Sequence, residues 1–449
     1  MVKELHKHSQ RAKFNKIKAF MLLFGLFFFQ LNNLFSQVNC VAIGVKSTPA
    51  NAEIGLELIH RFQSNNAKPK SAEDIYDQTI NSPKSVNILD DKDKFYVHSL
   101  EGCETSVYRL SDFTRLTTIK HKFDKNNQFL FKETNYFDYK FRTKKENLNY
   151  FSGKPVESCF SHNGKYLWVT YYRRTYDANA IDPSALCIID TEADTIVRVM
   201  PTAPLPKMIA CSPDSKTIAV THWGDNTMSL IDINSDNPAD FQYLKHIVID
   251  YQLSLNFDGK VNRDVNCGHC LRGTVFTPDN KYVFIGKMGG GSIAIVDIAN
   301  QKYVGSISGM QTNMRHLVIN GDYIYLSINK TGYVQRAKLA DFIDHFNNTP
   351  KASFTNWQSV YVGEGARTIV VSPDGKYVFA AVNNKSKIAV VRTSDMKLIA
   401  ECQADSYPVG MDISADGKTL IVTAQGKSEG GGRSVMVYKI TDNSANNNL

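Results

Sequence analysis

The chain has 449 residues, 43% of them hydrophobic and 21% charged, and its 52 Lys and Arg against 44 Asp and Glu give a formal net charge of +8. The many apolar side chains and the near absence of low-complexity tracts exclude a mostly disordered protein. This length ordinarily indicates two or three domains, although a large β architecture can use all of it in one. A large core is therefore available.

The first 36 residues are typical of a secretory signal peptide and not of a folded core. A basic region precedes the apolar run 19–29, which is short for a bilayer span but has the length of a signal-peptide h-region. We expect cleavage near Ser36, because Gln30 and Asn32 interrupt the apolar run and disfavour an uncleaved N-terminal anchor. No other stretch is long and apolar enough to cross a membrane. Because of the signal peptide, we expect an exported protein.

Removal of this leader changes the charge balance. It takes away six basic residues and one acid, which leaves 46 basic and 43 acidic residues and a net charge of +3. Such a small net charge does not indicate a polycationic nucleic-acid binder. Any argument for an anion site must therefore depend on where the cations lie.

Beyond the leader, the sequence contains seven copies of a repeat. Each copy has a short apolar strand, a turn such as the Ser-Pro-Asp-Gly at 372–375, and further strands rich in β-branched and aromatic residues. The start of the first strand anchors each copy, and successive anchors are 72, 51, 65, 43, 52 and 42 residues apart. The anchors are Pro83, Pro155, Pro206, Leu271, Met314, Ala366 and Pro408.

The shortest spacings match a four-stranded blade. Amphipathic helices are missing between the strands, apart from one short candidate at 340–346. The pattern therefore predicts an all-β fold, a seven-bladed β-propeller with four-stranded antiparallel blades.

The last copy ends at Ile440 after its third strand, so an N-terminal strand must complete its blade and close the ring. By spacing, the segment 74–80 has the position of this closing strand, and 54–62 is the second candidate. We divide the chain into a signal peptide (1–36), an N-terminal segment (37–73), the propeller (74–440) and a flexible tail (441–449).

The repeats SPDGKYVFAAVNNKSKIAVV, at 372–391, and SPDSKTIAVTHWGDNTMSLID, at 212–232, resemble those of the YVTN-type, or YncE-like, seven-bladed propellers of exported bacterial proteins. The resemblance covers about residues 74–440. It implies the fold and a location in the periplasm or at the cell surface. It says little about activity, because such propellers host many ligands and chemistries.

Long insertions are distributed unequally over the two faces of the predicted ring. In a blade, the loop between the second and third strands and the link to the next blade lie on one face. By this rule the insertions 124–153, 172–184, 251–270 and 425–434 share a face, and only 339–355 lies on the other. Loops on a rigid scaffold commonly carry binding function, so we expect this four-insertion face to be the working face. The alternative is neutral drift of surface loops.

The residue after each anchor has an equivalent position near the mouth of the central channel on the four-insertion face. Five of the seven are basic, and Val156 and Val409 are the others. We call the five cations the basic ring: Lys84, Lys207, Arg272, Arg315 and Arg367. Glu157 and His316 stand one position further along the chain. The second-to-third loops add three residues nearby: His222, Trp223 and Lys287.

Like charges that converge in a funnel with low-dielectric walls favour an anion, and Arg can bind a carboxylate or phosphate through two hydrogen bonds. We therefore predict a site for an anionic small molecule, a cell-envelope glycan or an envelope protein partner. The alternative is a structural network in which each cation pairs with an acid such as Asp225, Asp264 or Asp405. We expect no cofactor and no metal, and a protein that is monomeric by itself.

The segment 120–150 interleaves Lys and Arg with aromatic residues, a pattern that single-stranded nucleic acid or a glycan can use. The same alternation is typical of an amphipathic strand with Phe137, Tyr139 and Phe141 packed inward. We prefer the strand and do not expect a nucleic-acid partner.

Cys267 and Cys270 belong to a Cys-Gly-His-Cys motif in a predicted loop. A catalytic dithiol normally lies at a helix N-terminus of a thioredoxin-like fold, so we predict a structural disulfide instead. A zinc site would need two more ligands nearby, and haem attachment would need the His after the second Cys.

Arg315 and His316 resemble the Pro-Arg-His element of lactonase-type propellers, a resemblance that implies acid/base work by the His and by a Glu after the next strand. Here Lys330 stands where that Glu would be expected. Glu157 could replace it only if the ring brings it across the channel. We therefore expect a non-catalytic binding module with no assigned catalytic residue, and the alternative is a lactonase-like hydrolase that uses His316 and Glu157.

Overall fold

The computed structural model describes residues 40–132, 145–254, 261–426 and 433–444. The predicted signal peptide, the residues Phe137, Tyr139 and Phe141, and the last part of the predicted tail lie outside the described residues. Over the described ranges the chain forms seven β-sheets. The innermost strand of each sheet contacts that of the next, and the seventh contacts the first, so the sheets close into a ring.

The chain begins with β1 (Ile54–Gln63) and β2 (Asp74–Tyr76), which belong to the last blade. Blade 1 consists of β3 (Pro83–Leu89), β4 (Lys94–Ser99), β5 (Glu104–Arg109) and β6 (Arg115–Lys120). Blade 2 consists of β7 (Lys122–Phe123), β8 (Phe151–Ser161), β9 (Tyr166–Arg174), β10 (Ser184–Asp190) and β11 (Thr195–Thr202). Blade 3 consists of β12 (Pro206–Cys211), β13 (Thr217–His222), β14 (Thr227–Asp232) and β15 (Gln242–Val248).

Blade 4 consists of β16 (Leu271–Phe276), β17 (Tyr282–Lys287), β18 (Ser292–Asp297) and β19 (Lys302–Ser308). Blade 5 consists of β20 (Met314–Asn320), β21 (Tyr323–Ile328), β22 (Tyr333–Lys338) and β23 (Gln358–Tyr361), with helix α1 (Leu339–Asn348) before β23. Blade 6 consists of β24 (Ala366–Val371), β25 (Tyr377–Val382), β26 (Lys387–Arg392) and β27 (Lys397–Gln403). Blade 7 consists of β28 (Pro408–Ile413), β29 (Thr419–Ala424) and β30 (Ser434–Asp442), completed by β1 and β2.

The predicted all-β, seven-bladed propeller with antiparallel four-stranded blades is confirmed. Six of the seven anchors are the first residue of an innermost strand, and only β8 begins earlier, at Phe151. The short helix predicted at 340–346 is also present, as α1. None of the helices in the described part of the chain has the length and hydropathy needed to cross a bilayer.

The strand that closes the ring is β1, the second candidate, and not the segment that contains β2. β1 pairs antiparallel with β30 from Ile54↔Asp442 to Gln63↔Ser434. β2 pairs parallel with β1 as an additional fifth strand. Spacing alone favoured 74–80, but only β1 is long enough for a full ladder and alternates buried with partly exposed residues over its first half. The ring therefore begins at Ile54 and not at Asp74.

The turns between first and second strands are held by their Ser-Pro-Asp signature. In blade 6, the Ser372 hydroxyl donates to Asp374 Oδ1 at 2.6 Å and accepts from the Tyr377 backbone N–H at 3.0 Å. Gly375 takes the left-handed conformation that the turn requires, with φ of 72°. Blades 3, 4 and 7 repeat the hydroxyl-to-aspartate contact. These turns set the register of each blade.

The hydrophobic core lies mainly between neighbouring blades. In the interface of blades 2 and 3, for example, Trp168 stacks on Phe241 at 5.4 Å between ring centroids, and both side chains are fully buried. Burial of apolar surface between sheets is the main stabilising contribution in such a ring. The core therefore holds the innermost strands in fixed positions around the channel.

Candidate functional site

Every innermost strand carries a β-bulge near its anchor. In blade 3 the ladder pairs Pro206 with His222. The next pair joins Met208 to Thr221, which leaves Lys207 as the extra residue. The seven shifts fall between Pro83 and Val86, Pro155 and Ser158, Pro206 and Met208, Arg272 and Thr274, Met314 and His316, Ala366 and Ile369, and Pro408 and Gly410. A bulge bends the strand and redirects a side chain. Four cations of the basic ring lie within these shifts, whereas Arg272 still pairs with Gly286 and Gly273 is the extra residue of blade 4.

A second recurring feature precedes the anchor. In six blades the residue before the anchor has a left-handed backbone, with φ between 52° and 100°. These residues are Ser82, Leu205, Cys270, Asn313, Gly365 and Tyr407. Only one is glycine, so the surrounding structure must hold the others against a local penalty of about 1–2 kcal/mol each. Because turn and bulge recur together, the residues after the anchors have equivalent positions on the innermost strands of different blades.

The cations of the basic ring act on one another's pKa values. Burial lowers the pKa of Lys84 well below its ordinary value, and the charges of Arg367 and Arg272 lower it further. The pKa of Lys207 is lowered in the same way, by burial and then by Arg272 and Arg367. The pKa of Arg315 falls to about 9, again by burial and then by those two arginines. The five side chains therefore form one cluster.

Two carboxylates lie among these five cations. Arg272 Nη2 is 3.8 Å from Glu157 Oε1, and Lys207 Nζ is 3.6 Å from Asp264 Oδ1. Among the described residues, no carboxylate lies within the 4.0 Å of an ion pair from the other three cations. Those three are Lys84, Arg315 and Arg367. The cluster thus carries an excess of positive charge.

The structural network that we considered as an alternative is therefore only partly present. Of the three acids weighed for it, only Asp264 pairs with the basic ring over the described ranges. Asp405 pairs instead with Arg61, and Asp225 accepts from the Thr227 hydroxyl.

Neighbouring groups hold the cations in place. Lys207 Nζ lies 4.3 Å from the ring centroid of Tyr172 and 4.5 Å from that of Trp223, within range of cation–π attraction. Arg272 Nε donates to the Arg315 carbonyl at 3.1 Å. The Arg367 guanidinium lies 5.9 Å from the ring centroid of Tyr407.

His316 and Glu157 both adjoin Arg272. Burial, followed by the charge of Arg272, lowers the pKa of His316 to about 4, so its imidazole is neutral at pH 7. His316 Nδ1 lies 3.1 Å from the Ile369 carbonyl oxygen and 3.4 Å from the Ile369 backbone nitrogen. In the tautomer that donates from Nδ1 to the shorter contact, the carbonyl, Nε2 is an acceptor. Burial raises the pKa of Glu157, although Arg272 opposes this most strongly of the surrounding cations. A neutral imidazole and a carboxyl group thus both lie near Arg272.

Residues 189–445, more than half of the chain, match the family described as "Lactonase, 7-bladed beta-propeller". The chain belongs to this family. None of the curated proteins matches it. The YncE-like character indicated by the repeats stays a prediction.

Two solved structures resemble this lactonase-family propeller. Hydrazine Synthase of Kuenenia stuttgartiensis has a TM-score of 0.56 and 12% identity, with 83% of this chain and 99% of that chain covered. The Cps50 (Swd1) β-propeller domain of Myceliophteria thermophila has a TM-score of 0.54 and 11% identity, with 80% and 97% covered. At identities this low, the likeness concerns the fold alone.

In this lactonase-family chain, two residues grouped with the mouth lie elsewhere. The His222 ring pairs with Thr227 Oγ1 at 2.9 Å and adjoins His246 of the outer strand β15. Lys287 donates to Asp250, which also accepts from Tyr303 of the outer strand β19. Both residues end a second strand, and their side chains turn toward the outer strands, which corrects the sequence-based grouping.

Trp223 has a mixed position. Its ring contacts Lys207, but it is buried against Leu205 and Cys267, and its Nε1 donates to the Asp264 carbonyl at 3.3 Å. Trp223 therefore packs against Lys207 and the Asp264 loop as a supporting residue of the site.

Cys267 and Cys270 form a disulfide with Cα atoms 4.8 Å apart, directly before the innermost strand of blade 4. The intervening His269 places Nε2 3.0 Å from Asp250 Oδ2. Over the described ranges, no three His, Cys, Asp or Glu side chains come together as a metal site. The motif thus fixes a loop beside the mouth.

Sequence reasoning missed several neighbours of the basic ring. Tyr407 and Asn313 each precede an anchor, and Arg315 Nε donates to Asn313 Oδ1 at 3.0 Å. A comparison of the residues directly before the anchors would have identified both. Arg173 and Tyr172 lie where β9 runs into an insertion, and no repeat signal marks them.

Proposed function

We propose that this lactonase-family propeller is a non-catalytic module that binds an anionic ligand at the mouth of its channel. The observation that carries the proposal is the charge of the cluster, in which five cations face two carboxylates. Burial lowers the pKa values of Lys84, Lys207 and Arg315, and the charges of Arg272 and Arg367 lower them further, so the cations of the basic ring repel one another. An incoming anion would relieve that repulsion.

Three cations have no carboxylate at ion-pair distance among the described residues, and they define the chemistry of the ligand. Arg315 and Arg367 come from neighbouring blades, and each guanidinium can present two parallel N–H donors to one anionic group. Lys84 of blade 1 adds an amine whose pKa is lowered by burial and by the charges of Arg367 and Arg272, and a bound anion would favour its charged form. This set suits a carboxylate, sulfate or phosphate group. In an exported protein, a carboxylated small molecule, an acidic cell-envelope glycan or an acidic loop of an envelope protein offers such a group.

The proposal is tested by titrating sulfate and citrate into the protein in a calorimeter at low ionic strength. We expect both anions to bind and Arg367→Gln to weaken binding by about tenfold or more, because each charge-assisted hydrogen bond contributes about 1.5–3 kcal/mol. Lys245→Gln is the matched control, since Lys245 is exposed on the outer strand of blade 3. Absence of binding, or equal losses in both variants, would refute the proposal.

A second candidate is hydrolysis of an anionic lactone. It is favoured by one observation: Arg272 lies 3.8 Å from Glu157 and its charge lowers the pKa of His316, so a base and a carboxyl group both lie near one cation. Against it, the expected Glu is replaced by Lys330, which is exposed.

One variant distinguishes the two candidate functions, anion binding and lactone hydrolysis. His316→Gln keeps an amide that can hydrogen-bond but removes the basic nitrogen. If turnover of carboxylated lactones is present and is lost in His316→Gln while citrate still binds, the protein is a hydrolase. If no such lactone is turned over and citrate binds equally to both proteins, the binding module stands.

A further inference from the structure

Asp264 brings a carboxylate into the mouth of the channel from the link between blades 3 and 4. Its Oδ1 lies 3.6 Å from Lys207 Nζ, and its Oδ2 lies 3.7 Å from Arg173 Nη1. Lys84 and Lys154 are close enough for their charges to act on its pKa. Four cations from three blades therefore face this one carboxylate.

These contacts are loose. Charge-assisted hydrogen bonds between nitrogen and oxygen measure about 2.7–2.9 Å, and neither pair of Asp264 reaches that range. Within the described residues the carboxylate accepts no hydrogen bond, and its side chain is 27% exposed. Asp250 on the same face is different, since it accepts hydrogen bonds from both Lys287 and Tyr303.

The backbone around Asp264 is held firmly. Its carbonyl accepts from Trp223 Nε1, and the preceding Arg263 donates its N–H to the Asn179 carbonyl at 2.9 Å. The disulfide between Cys267 and Cys270 closes the same loop a few residues later. Only rotation of the Asp264 side chain is therefore needed to withdraw its charge from the mouth.

We propose that Asp264 is a built-in competitor, whose carboxylate occupies part of the anion site beside Lys207 and Arg173 until the anionic group of a ligand displaces it. This inference rests on the proposed function. It adds that the ligand places an anionic group at the blade 3 side of the ring. It also explains why Lys207, which is enclosed by two aromatic rings, has a carboxylate partner so poorly bonded.

The direct test compares the wild-type protein with Asp264→Asn in sulfate titrations. The amide has the shape of the carboxylate but no charge, so sulfate no longer competes with it. We expect the affinity for sulfate to rise by about three- to tenfold. Glu192→Gln is the control for net charge, because Glu192 is largely exposed and pairs with Lys92, away from the mouth. Its affinity for sulfate should match that of the wild type.

A pH series gives a second readout. Burial raises the pKa of Asp264 to about 6, with Lys84 and Lys154 opposing the shift. Sulfate keeps its charge from pH 5 to 8, and the other titrating groups at the mouth, Glu157 and Lys207 among them, are common to both proteins. The affinity ratio of Asp264→Asn to wild type should therefore be largest at pH 8 and approach one at pH 5.

The outcomes separate this inference from the proposed function. If the wild type binds sulfate but Asp264→Asn binds it equally or more weakly, Asp264 is a structural counter-ion and the inference is wrong while the function stands. A ratio above one that stays constant with pH also contradicts it. If neither protein binds sulfate or citrate, the proposed function fails first.

Discussion

Arg61 on the closing strand β1 donates from Nη1 to Asp405 Oδ1 at 3.2 Å, across 344 positions of the chain. The same guanidinium donates from Nε to Asp74 at 3.1 Å and bonds the Val41 carbonyl. All three charged side chains are buried. One arginine thus connects the N-terminal strands to the loop that begins blade 7.

Replacing Arg61 should remove these buried ion pairs and destabilise the protein. Arg61→Met keeps much of the side-chain volume but leaves Asp74 and Asp405 buried without a cation, so we expect a loss of about 3–5 kcal/mol in the free energy of unfolding. Urea unfolding followed by tryptophan fluorescence measures it. Arg109→Met is the control, because the pair of Arg109 with Asp112 is exposed and should contribute less than about 1 kcal/mol. Equal effects of the two variants would contradict the prediction.

Gly410 lies in the bulge of blade 7, where its backbone passes close to blade 1. A Cβ at this position would lie 2.5 Å from the Lys84 carbonyl oxygen and 2.9 Å from Ser85 Cα. Because both contacts are with backbone, Gly410→Ala should destabilise the ring by about 1–3 kcal/mol or more. Gly290→Ala is the matched control, since only Ser292 Oγ comes within 4 Å of its Cβ. Thermal unfolding of both variants tests this prediction. An unchanged midpoint temperature for Gly410→Ala would contradict so close an approach of blades 7 and 1.

Buried histidines should make stability depend on pH. Burial lowers the pKa of His98 and of His121 to about 3, and they share the Thr105 hydroxyl. In the unfolded chain each titrates near pH 6.5, so the unfolded state binds protons first. Stability should therefore fall as pH drops from about 6.5 toward 3, by up to about 1.4 kcal/mol per pH unit for each histidine.

Asp412 has the opposite effect on the pH dependence of stability, because burial raises its pKa to about 7. Its folded form binds a proton first, so its contribution to stability falls as pH rises from about 4 to 7. A comparison of variants separates the two effects. His121→Gln should show a shallower loss of stability between pH 6.5 and 4 than the wild type, while Asp412→Asn should show a steeper one, because the opposing contribution of Asp412 is removed. Parallel curves for His121→Gln and wild type would rule out the histidine explanation.

The disulfide of Cys267 and Cys270 should stabilise the loop that carries Asp264. In the chain-entropy description, closing so short a loop contributes about 2 kcal/mol. We expect the Cys267→Ser/Cys270→Ser double variant to unfold at a lower urea concentration and to bind citrate with the same stoichiometry. Adding dithiothreitol to the wild type should reproduce the shift and should leave the double variant unchanged. A shift of the double variant by dithiothreitol would assign the effect to other cysteines.

Much of this architecture is predictable because repetition is a local signal. The anchors at Pro83 and Pro408 and the cations after them follow from one repeated pattern, and the structure gathers these cations as the pattern indicates. Spacing ranked 74–80 above 54–62 as the closing strand but did not decide between them, because strand pairing between distant segments leaves no spacing signal. His222 and Lys287 were misplaced because the direction of a side chain at a strand end depends on its partners in the outer strands.

The pairing of β1 with β30 also determines when blade 7 can be completed during synthesis. Ile54 meets Asp442 and Gln63 meets Ser434, partners about 370 to 390 residues apart. At a synthesis rate of about 5–20 residues per second, β1 waits roughly 20–80 s on the ribosome before its partner exists. During that time β1 lacks the partner for the edge that β30 later covers, and an unpaired strand edge favours aggregation or recruits a chaperone. The same ladder that seals the finished ring therefore leaves its first strand exposed until synthesis is nearly complete.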